Sequence, residues 1–384
     1  MQNTPRIILD VDVSRGFDRN MLSGIARYSA LNGPWTFYRK TPAYLKSGPE
    51  FNLRDLAAWQ PDGAICSIVH AQEIESMGIP MIGYDLGNYS GPIPRVCSNH
   101  AETGRLAAQH LLELGLCNFA FCGFNSLNLS HERYQAFCAE IEKAGASVNM
   151  FNGPDKATAW TEEEPLIKEW LRSLPKPIGL FCVNDDRAVS IIEVCRELEF
   201  SIPEEISILG ADDDEHICEL ENPPLTSVRI SSDQAGYKAA ELLHRMMQGS
   251  EKMEGQLIVA PATGITARQS TDILMVRNTE VRKALRFIRE NINKPIRVTD
   301  VVAATALSHR SLNDQFHKEL GTSIGKQLTR ARINYIIRLL TDTSMRIQEV
   351  ASTVGYDDDR HFSRYFKRAT GLTPHAYRSK ILPP

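Results

Sequence analysis

Apolar and polar positions alternate along residues 5–268 in two repeating patterns. Short apolar runs predict buried strands at 7–11, 35–39, 63–66, 81–83, 96–98, 119–122, 178–183, 206–210, 227–230 and 257–260. Between them, apolar residues at three- and four-residue spacing predict helices at 18–30, 102–114, 132–144, 163–174, 185–198 and 233–247. This alternation indicates parallel sheets covered by helices, with ligand sites at the carboxyl ends of the strands. Because about 260 residues is large for one sheet, the pattern favours two α/β lobes with a cleft between them.

The pattern changes after residue 271, where one arrangement of residues occurs twice. In each copy a short apolar helix leads to a small residue, a capping side chain, a second helix with a buried stripe, and a glycine. In chain order the first copy contains Val298, Val301, Val302, Ala306, Ser308, Leu312, Phe316 and Gly321. The second contains Ile347, Val350, Ala351, Gly355, Asp358, Phe362, Phe366 and Gly371, offset by 49 residues at its start and by 50 after the turn. The duplication predicts two helix-turn-helix motifs, and hence two contacts with the DNA major groove from one chain.

The net charge also changes sign between the two parts of the chain, at residue 272. Residues 272–384 contain 20 Lys and Arg against 11 Asp and Glu, a net charge of +9, whereas the rest contains 23 against 36, a net charge of −13. A cationic module on an anionic body suits binding to the phosphate backbone, because Lys and Arg displace condensed counterions. A basic helical bundle without a DNA partner is the alternative that charge alone leaves open, and the duplicated motif argues against it.

Composition narrows the class of protein further. With 384 residues and 42% hydrophobic content, the chain is expected to form two or three compact units. It has no run of about 18 apolar residues and no signal peptide, so we expect a cytoplasmic protein that does not contact a membrane. The eight cysteines lie before residue 219 without metal-ligand spacing, and we interpret them as reduced and mostly buried. Because the phosphate-loop, dinucleotide, hydrolase-elbow and zinc-protease motifs are missing, we predict no enzymatic activity and no cofactor.

Six fragments of the first part form an ordered set: Gly83-Tyr84-Asp85, 98–107, 132–137, Asn184-Asp185, 206–213 and 223–228. In this order they resemble the effector domains of the lac and galactose repressor family. The resemblance covers nearly all of residues 5–270, but not that family's amino-terminal DNA-binding helices. It implies a two-lobed sugar-binding domain similar to periplasmic binding proteins. In that domain Arg133, Asn184 and Asp212 stand at sugar-binding positions.

Other ligand candidates lie near strand ends or match ligand-stacking positions of relatives: Phe17, Asp18, Arg19, Tyr84, Asn99 and Trp160. A core or surface tryptophan is the alternative for Trp160, and an aromatic residue beside a strand end is more often core than ligand-binding. Asp185 and Asp213 are expected to orient the ligand contacts or to cap helices. The run Asp212-Asp213-Asp214-Glu215 could hold a divalent metal, but we prefer a sugar contact at Asp212 with a solvated remainder and predict no metal site.

The carboxyl-terminal part contains a further set of characteristic segments: Gly355-Tyr356, 362–368, 371–374 and Tyr377-Arg378. These segments resemble the signature of the DNA-binding domain of the arabinose-regulator (AraC) family. On each second helix, the positions two, five and six after the cap face away from the buried stripe. They are predicted to read base edges: Arg310, Asn313 and Asp314 in the first copy, and Arg360, Ser363 and Arg364 in the second.

Neighbouring side chains on the same helices are better suited to phosphate or to capping. Lys367 and Arg368 are predicted phosphate contacts, whereas His309 and His361 could contact bases, phosphate or neither. The acidic run Asp357-Asp358-Asp359 is unexpected next to DNA. We interpret it as helix capping with a favourable dipole interaction.

The combined resemblance implies an effector domain at 5–271, a linker at 272–279 and a DNA-binding domain at 280–384. Lobe 1 is predicted to comprise about 5–99 and 232–255, and lobe 2 about 100–231 and 256–270. The expected function is sugar-responsive transcription activation, with D-xylose as the first candidate and another pentose, a hexose or a purine-like compound as alternatives. The expected partners are double-stranded operator DNA, a second copy of the chain and RNA polymerase. A sugar-binding enzyme with an accessory DNA domain is a different class, and no catalytic motif supports it.

Overall fold

The computed structural model describes residues 4–39, 53–84, 92–154, 159–250, 255–273, 278–343, 345–356 and 358–381. The chain forms two compact units, Met1–Ile273 and Leu274–Pro384. The first unit contains two six-stranded sheets and is the two-lobed α/β domain that the sequence predicts. None of the helices in the described ranges is long and apolar enough to cross a membrane.

Lobe 1 is built on a sheet with the strand order β11-β5-β4-β3-β1-β2. Its strands are β1 (Arg6–Asp10), β2 (Thr36–Arg39), β3 (Gly63–Ser67), β4 (Met81–Tyr84), β5 (Arg95–Ser98) and β11 (Leu257–Ala260), all paired in parallel. The helices of this lobe are α1 (Gly16–Asn32), α2 (Leu53–Ala58), α3 (Ile68–Glu75) and α9 (Ser232–Met247). Apolar side chains of α1 and α9, such as Ile25 and Leu243, bury one face of the sheet.

Lobe 2 is built on a sheet with the strand order β12-β10-β9-β8-β6-β7. Its strands are β6 (Phe119–Cys122), β7 (Val148–Met150), β8 (Ile178–Cys182), β9 (Ile206–Asp212), β10 (Thr226–Ile230) and β12 (Ala262–Thr266). The helices are α4 (His100–Glu113), α5 (Asn128–Lys143), α6 (Trp160–Ser173), α7 (Asp185–Glu197) and α8 (Glu215–Leu220). Strand β12 runs antiparallel to β10, an exception to the predicted parallel pairing.

The chain passes between the lobes three times, and one crossing differs from the prediction. The crossings after β5 and β10 fall at the predicted positions, near residues 99 and 231. The prediction that 256–270 belongs entirely to lobe 2 is wrong, because β11 pairs with β5 at the edge of the lobe 1 sheet. Only Pro261 separates β11 from β12, so the third crossing occurs there.

The interior of the domain accounts for most of its cysteines. Five of them, Cys66, Cys122, Cys182, Cys195 and Cys218, are buried, and all eight are free thiols. Burial raises the pKa of Cys66 and of Cys122 to about 12, so these thiols stay protonated. The cysteines therefore behave as small core residues, as predicted, except that Cys117 is exposed.

The second unit is helical, with two successive cores. Its helices are α10 (Thr279–Asn291), α11 (Val298–Ala303), α12 (His309–Leu320), α13 (Ile324–Asp342), α14 (Ile347–Thr353), α15 (Asp359–Thr370) and α16 (Pro374–Ile381). One core centres on Leu312 and Phe316, and the other on Phe362 and Phe366. Helix α10 begins at Thr279, within the predicted linker, with Asn278 as its cap; residues 274–277 of that linker lie outside the described residues.

Candidate effector cleft and DNA interface

A buried arginine contacts residues of both lobes at the candidate effector cleft. Arg133, on α5, is 2% exposed and donates to the carbonyl of Val183 and, over 3.0 Å, to the carboxylate of Asp212. It also donates from Nη2 to the hydroxyl of Ser98 in lobe 1, over 3.4 Å. The fold thus joins Arg133 and Asp212, which are 79 residues apart in the chain and which the resemblance places at sugar-binding positions.

The backbone at Asp212 is unusual, since its φ is +107°. Residues other than glycine rarely adopt this backbone conformation. Strain of this kind is often found at binding sites. The strained residue lies at the carboxyl end of β9, where a ligand of a parallel sheet is expected.

His100 is a cleft residue that the sequence did not single out. It begins α4, and its Nδ1 lies 3.4 Å from Nε of Arg133. Burial and the adjacent Arg133 lower the pKa of His100 to about 3, so the ring is neutral and Nδ1 accepts from the guanidinium.

Asn99 and Asn184 both cap helices at the cleft. The side-chain oxygen of Asn99 accepts from the amide of Glu102, and that of Asn184 accepts from the amide of Arg187, each over 3.0 Å. Capping fixes both side chains at strand ends and occupies one lone pair of each carbonyl oxygen. A contact with an effector can use the second lone pair or the amide group.

The remaining ligand candidates in lobe 1 contact other residues of the protein. The guanidinium of Arg19 donates to Asp214 and to the carbonyls of Val13 and Ser14. Asp18 is buried, and Phe17 packs partly against the lobe 1 core. Tyr84 is only 3% exposed, which agrees with the core alternative, and its stacking on a ligand stays a prediction.

The hydroxyl of Tyr84 has a structural partner as well. It accepts from the amide of Asp12 over 3.0 Å, and so fixes the loop after β1.

Trp160 begins α6 and is half-buried, with part of its ring against the lobe 2 core. Nearby, the guanidinium of Arg187 pairs with both carboxylate oxygens of Glu163, at 2.8 and 3.0 Å, and lies 4.0 Å from the ring centre of Phe124. The sequence did not indicate Arg187, Glu163 or Phe124, because their contacts with one another join residues far apart in the chain. Stacking of Trp160 on a ligand stays a prediction.

Asp213 and Asp214 of the acidic run are paired inside the fold, which corrects the expectation that they are solvated, whereas Glu215 is exposed as expected. Asp213 accepts from Arg268 over 2.8 Å, and Asp214 is 4% exposed and accepts from lobe 1. The amide of Asp214 donates to Asp185 over 2.8 Å, so Asp185 orients this segment as expected. Burial and the neighbouring Asp212 raise the pKa of Asp185 well above its usual range. Among the described residues no cluster of His, Cys, Asp and Glu is arranged to hold a metal ion.

An open cavity of about 380 Å³ lies beside this segment, between the two lobes. Side chains of α1 and α9 line it on one side, and the ends of β9 and β10 line it on the other: Asn20, Asp212, Asp213, Arg229, Ile230, Ser231 and Asp233. A pocket of this size has room for a small ligand, and its polar side chains can bond to hydroxyl groups.

The second helices of the two predicted motifs, α12 and α15, begin at the predicted caps. The Ser308 hydroxyl accepts from the Ser311 amide over 3.3 Å, and the Asp358 carboxylate accepts from the Arg360 amide over 2.7 Å. These backbone donors lower the pKa of Asp358, which supports the capping interpretation of the acidic run. Asp357 lies outside the described residues.

Most of the predicted DNA contacts are exposed on these helices: Arg310, Asp314, Arg360, Arg364, Lys367 and Arg368. Ser363 is half-buried. Asn313 is half-buried too, and its side-chain oxygen accepts from the amide of Ile324 at the start of α13, over 3.3 Å. The amide group of Asn313 and the second lone pair of its oxygen are left for a base.

The two helix-turn-helix motifs meet at Gly355 and Pro295. Gly355 has a φ of +82°, and a Cβ placed on it would lie 2.3 Å from Cβ of Pro295. Arg332, on α13, also donates to the carbonyl of Ile296 beside this contact. The turn of the second motif therefore packs directly on the segment that leads into the first.

We expect Gly355→Ala to lower the free energy of unfolding by about 1–3 kcal/mol, because alanine is strained at this φ and collides with Pro295. Thermal unfolding of the full chain measures this loss. Gly371→Ala is a matched control, since Gly371 has a φ of +81° but nothing within 4 Å of the added Cβ. Equal losses in the two variants would contradict a role for the contact with Pro295.

Comparison with known proteins agrees with both parts of the structure. The profile of a periplasmic binding protein-like domain matches residues 108–271, and that of a helix-turn-helix domain matches residues 301–380. The xylose operon regulatory protein of Escherichia coli (strain K12) is 27% identical over 385 residues, covering 97% of this chain and 96% of that protein. The protein of the same name from Haemophilus influenzae is also 27% identical, covering 97% and 98%. The solved structure of the xylose-binding transcription activator xylR has a TM-score of 0.83 at 27% identity and covers 99% of both chains.

Fold, sites and relatives together define a transcription regulator, not an enzyme, in which a periplasmic binding protein-like domain precedes AraC-type helix-turn-helix motifs. Within that class, the chain is a homologue of the xylose operon regulatory proteins over nearly its whole length.

Proposed function

We propose that this protein is a cytoplasmic transcription activator that binds a monosaccharide between its lobes, with D-xylose as the first candidate. The observation that carries the proposal is the buried Arg133, whose guanidinium lies between Asp212 of lobe 2 and Ser98 of lobe 1. The guanidinium donates and the carboxylate of Asp212 beside it accepts, so together they suit sugar hydroxyls, which both donate and accept. The names of the whole-length relatives support xylose as the first sugar to test.

Effector binding is proposed to close the two lobes like a hinge about the three crossing segments. Closure alters transcription only if the open and closed forms place the DNA-binding units differently. A homodimer provides such a difference, because its two DNA-binding units move relative to each other. RNA polymerase is the proposed partner on the promoter.

On DNA, α12 and α15 of one monomer are proposed to enter successive major grooves about 10 base pairs apart. The net charge of +9 on residues 272–384 supports backbone contact, and the exposed Arg310 and Arg364 support base reading.

A thermal-shift panel of pentoses, hexoses and a purine tests the effector class. A true effector at 100 times its Kd should add about 2.7 kcal/mol to the stability of the effector domain. We expect D-xylose to give the largest shift. A larger shift with a hexose or a purine would replace xylose as the effector, and turnover of the sugar, followed by NMR, would contradict a pure binding function.

A further inference from the structure

The carboxylate of Asp214 joins the two lobes. Asp214 lies in lobe 2, between β9 and α8, and is 4% exposed. Its Oδ2 accepts from the backbone amide of Gly16 over 2.7 Å, and its Oδ1 accepts from Nη2 of Arg19 over 2.5 Å. Gly16 and Arg19 belong to the first turn of α1 in lobe 1, so both oxygens of one buried carboxylate hold the opposite lobe.

Each side of this contact is fixed by its own lobe. The amide of Asp214 donates to Asp185, whose other oxygen accepts from the hydroxyl of Ser227 over 2.6 Å. In lobe 1, the second terminal nitrogen of Arg19 donates to carbonyls of the loop before α1. Because neither partner is free to rotate away, the contact depends on the spacing of the two lobes.

The close approach of Gly16 to Asp214 requires the same spacing of the two lobes. A Cβ added there would lie 2.8 Å from both Cβ and Cγ of Asp214. The backbone of lobe 1 therefore approaches the carboxylate as closely as only glycine allows. A second pair between the lobes, Arg15 and Asp186, is 3.8 Å apart and about half exposed, so solvent screens it.

We propose that Asp214 is an interlobe latch: a positioning residue that stabilises the closed cleft without contacting the effector. This inference rests on the proposed effector site. The apparent affinity for an effector falls in proportion to the closed fraction of the protein, so loss of the latch weakens binding at a distance. It also gives Arg19 a role different from the direct ligand contact that its position after the first strand predicts.

A double-mutant cycle in the full chain separates these two roles of Arg19. We expect Asp214→Asn and Arg19→Gln each to weaken D-xylose binding by about tenfold in calorimetry, and the double variant to be no weaker than the poorer single variant. Independent, multiplying losses would instead indicate that Arg19 contacts the sugar and would overturn the latch. Arg27→Gln is the matched control on the same helix, because its pair with Asp233 stays within lobe 1. It should change the affinity less than about twofold.

Hydrogen exchange tests the latch without any effector. In the ligand-free full chain, Asp214→Ala should speed amide exchange in peptides that cover residues 13–19, because the Gly16 amide loses its acceptor. Arg27→Gln should leave that exchange unchanged. Wild-type exchange and wild-type affinity in both Asp214 variants would overturn the proposal. If the wild-type protein bound no sugar, the proposed function would be wrong. The exchange rate at Gly16 would still show whether Asp214 holds the two lobes together.

Discussion

Replacing Arg133 by alanine is expected to abolish effector binding while leaving DNA affinity in the unliganded protein nearly unchanged. The substitution removes the donor that faces Asp212 and Ser98, and leaves the half-buried carboxylate of Asp212 without its partner. Each buried polar group left unpaired costs about 1–3 kcal/mol, and more when it is charged. Asp212→Ala should have the same effect from the other side of the pair. Calorimetry with D-xylose measures the affinity, and a fluorescence assay on operator DNA measures the DNA binding.

Arg105→Ala is the matched control for this prediction. Arg105 lies on α4 of the same lobe and pairs with Glu102. The two side chains are 38% and 33% exposed. An exposed pair of this kind contributes little, so the variant should bind as the wild type does. Wild-type effector affinity in both Arg133→Ala and Asp212→Ala would place the site elsewhere.

Arg310→Ala and Arg364→Ala should each relax specificity at a separate base pair, by about 1–3 kcal/mol. The reason is that one exposed arginine on each second helix can bond to both acceptors of a guanine. Binding to a set of operator variants, each with one base pair changed, measures the effect. An equal loss on every variant would show that the arginine contacts phosphate instead.

Lys367→Ala provides the contrast, because a lysine that contacts phosphate carries no sequence information. We expect this variant to weaken binding to all operator variants alike and to lower the slope of affinity against salt by about one unit. A base-specific effect of Lys367→Ala would contradict its assignment to the backbone.

Local patterns predicted most of the framework, and the exceptions have physical reasons. The continuous apolar runs of the central strands, such as β8 and β9, mark both-face burial directly. Strand β7 was missed because its three residues are at most half-buried, and β12 because none of its residues is buried. The lobe assignment of β11 was wrong because a short edge strand carries no signal for which sheet it joins.

In the candidate sites, too, contacts between sequence neighbours could be predicted and contacts between distant residues could not. Caps such as Ser308 and Asp358 depend on neighbours in sequence, so the pattern predicted them correctly. The role of Asp214 depends on Gly16 and Arg19, which are 198 and 195 residues away, and locally it is one carboxylate in an acidic run. The bond from Ile324 to Asn313 was hidden for the same reason, since helical spacing alone placed Asn313 on the DNA-facing side.

The central claim, that an effector bound between the lobes changes how the chain engages DNA, has one direct test. DNA fragments selected from a random pool by the full-length protein are footprinted with and without D-xylose at saturation. We predict protection of major grooves about 10 base pairs apart, and a change in the extent or affinity of that protection when the sugar is added. Tight sugar binding that leaves both the footprint and the DNA affinity unchanged would contradict the account.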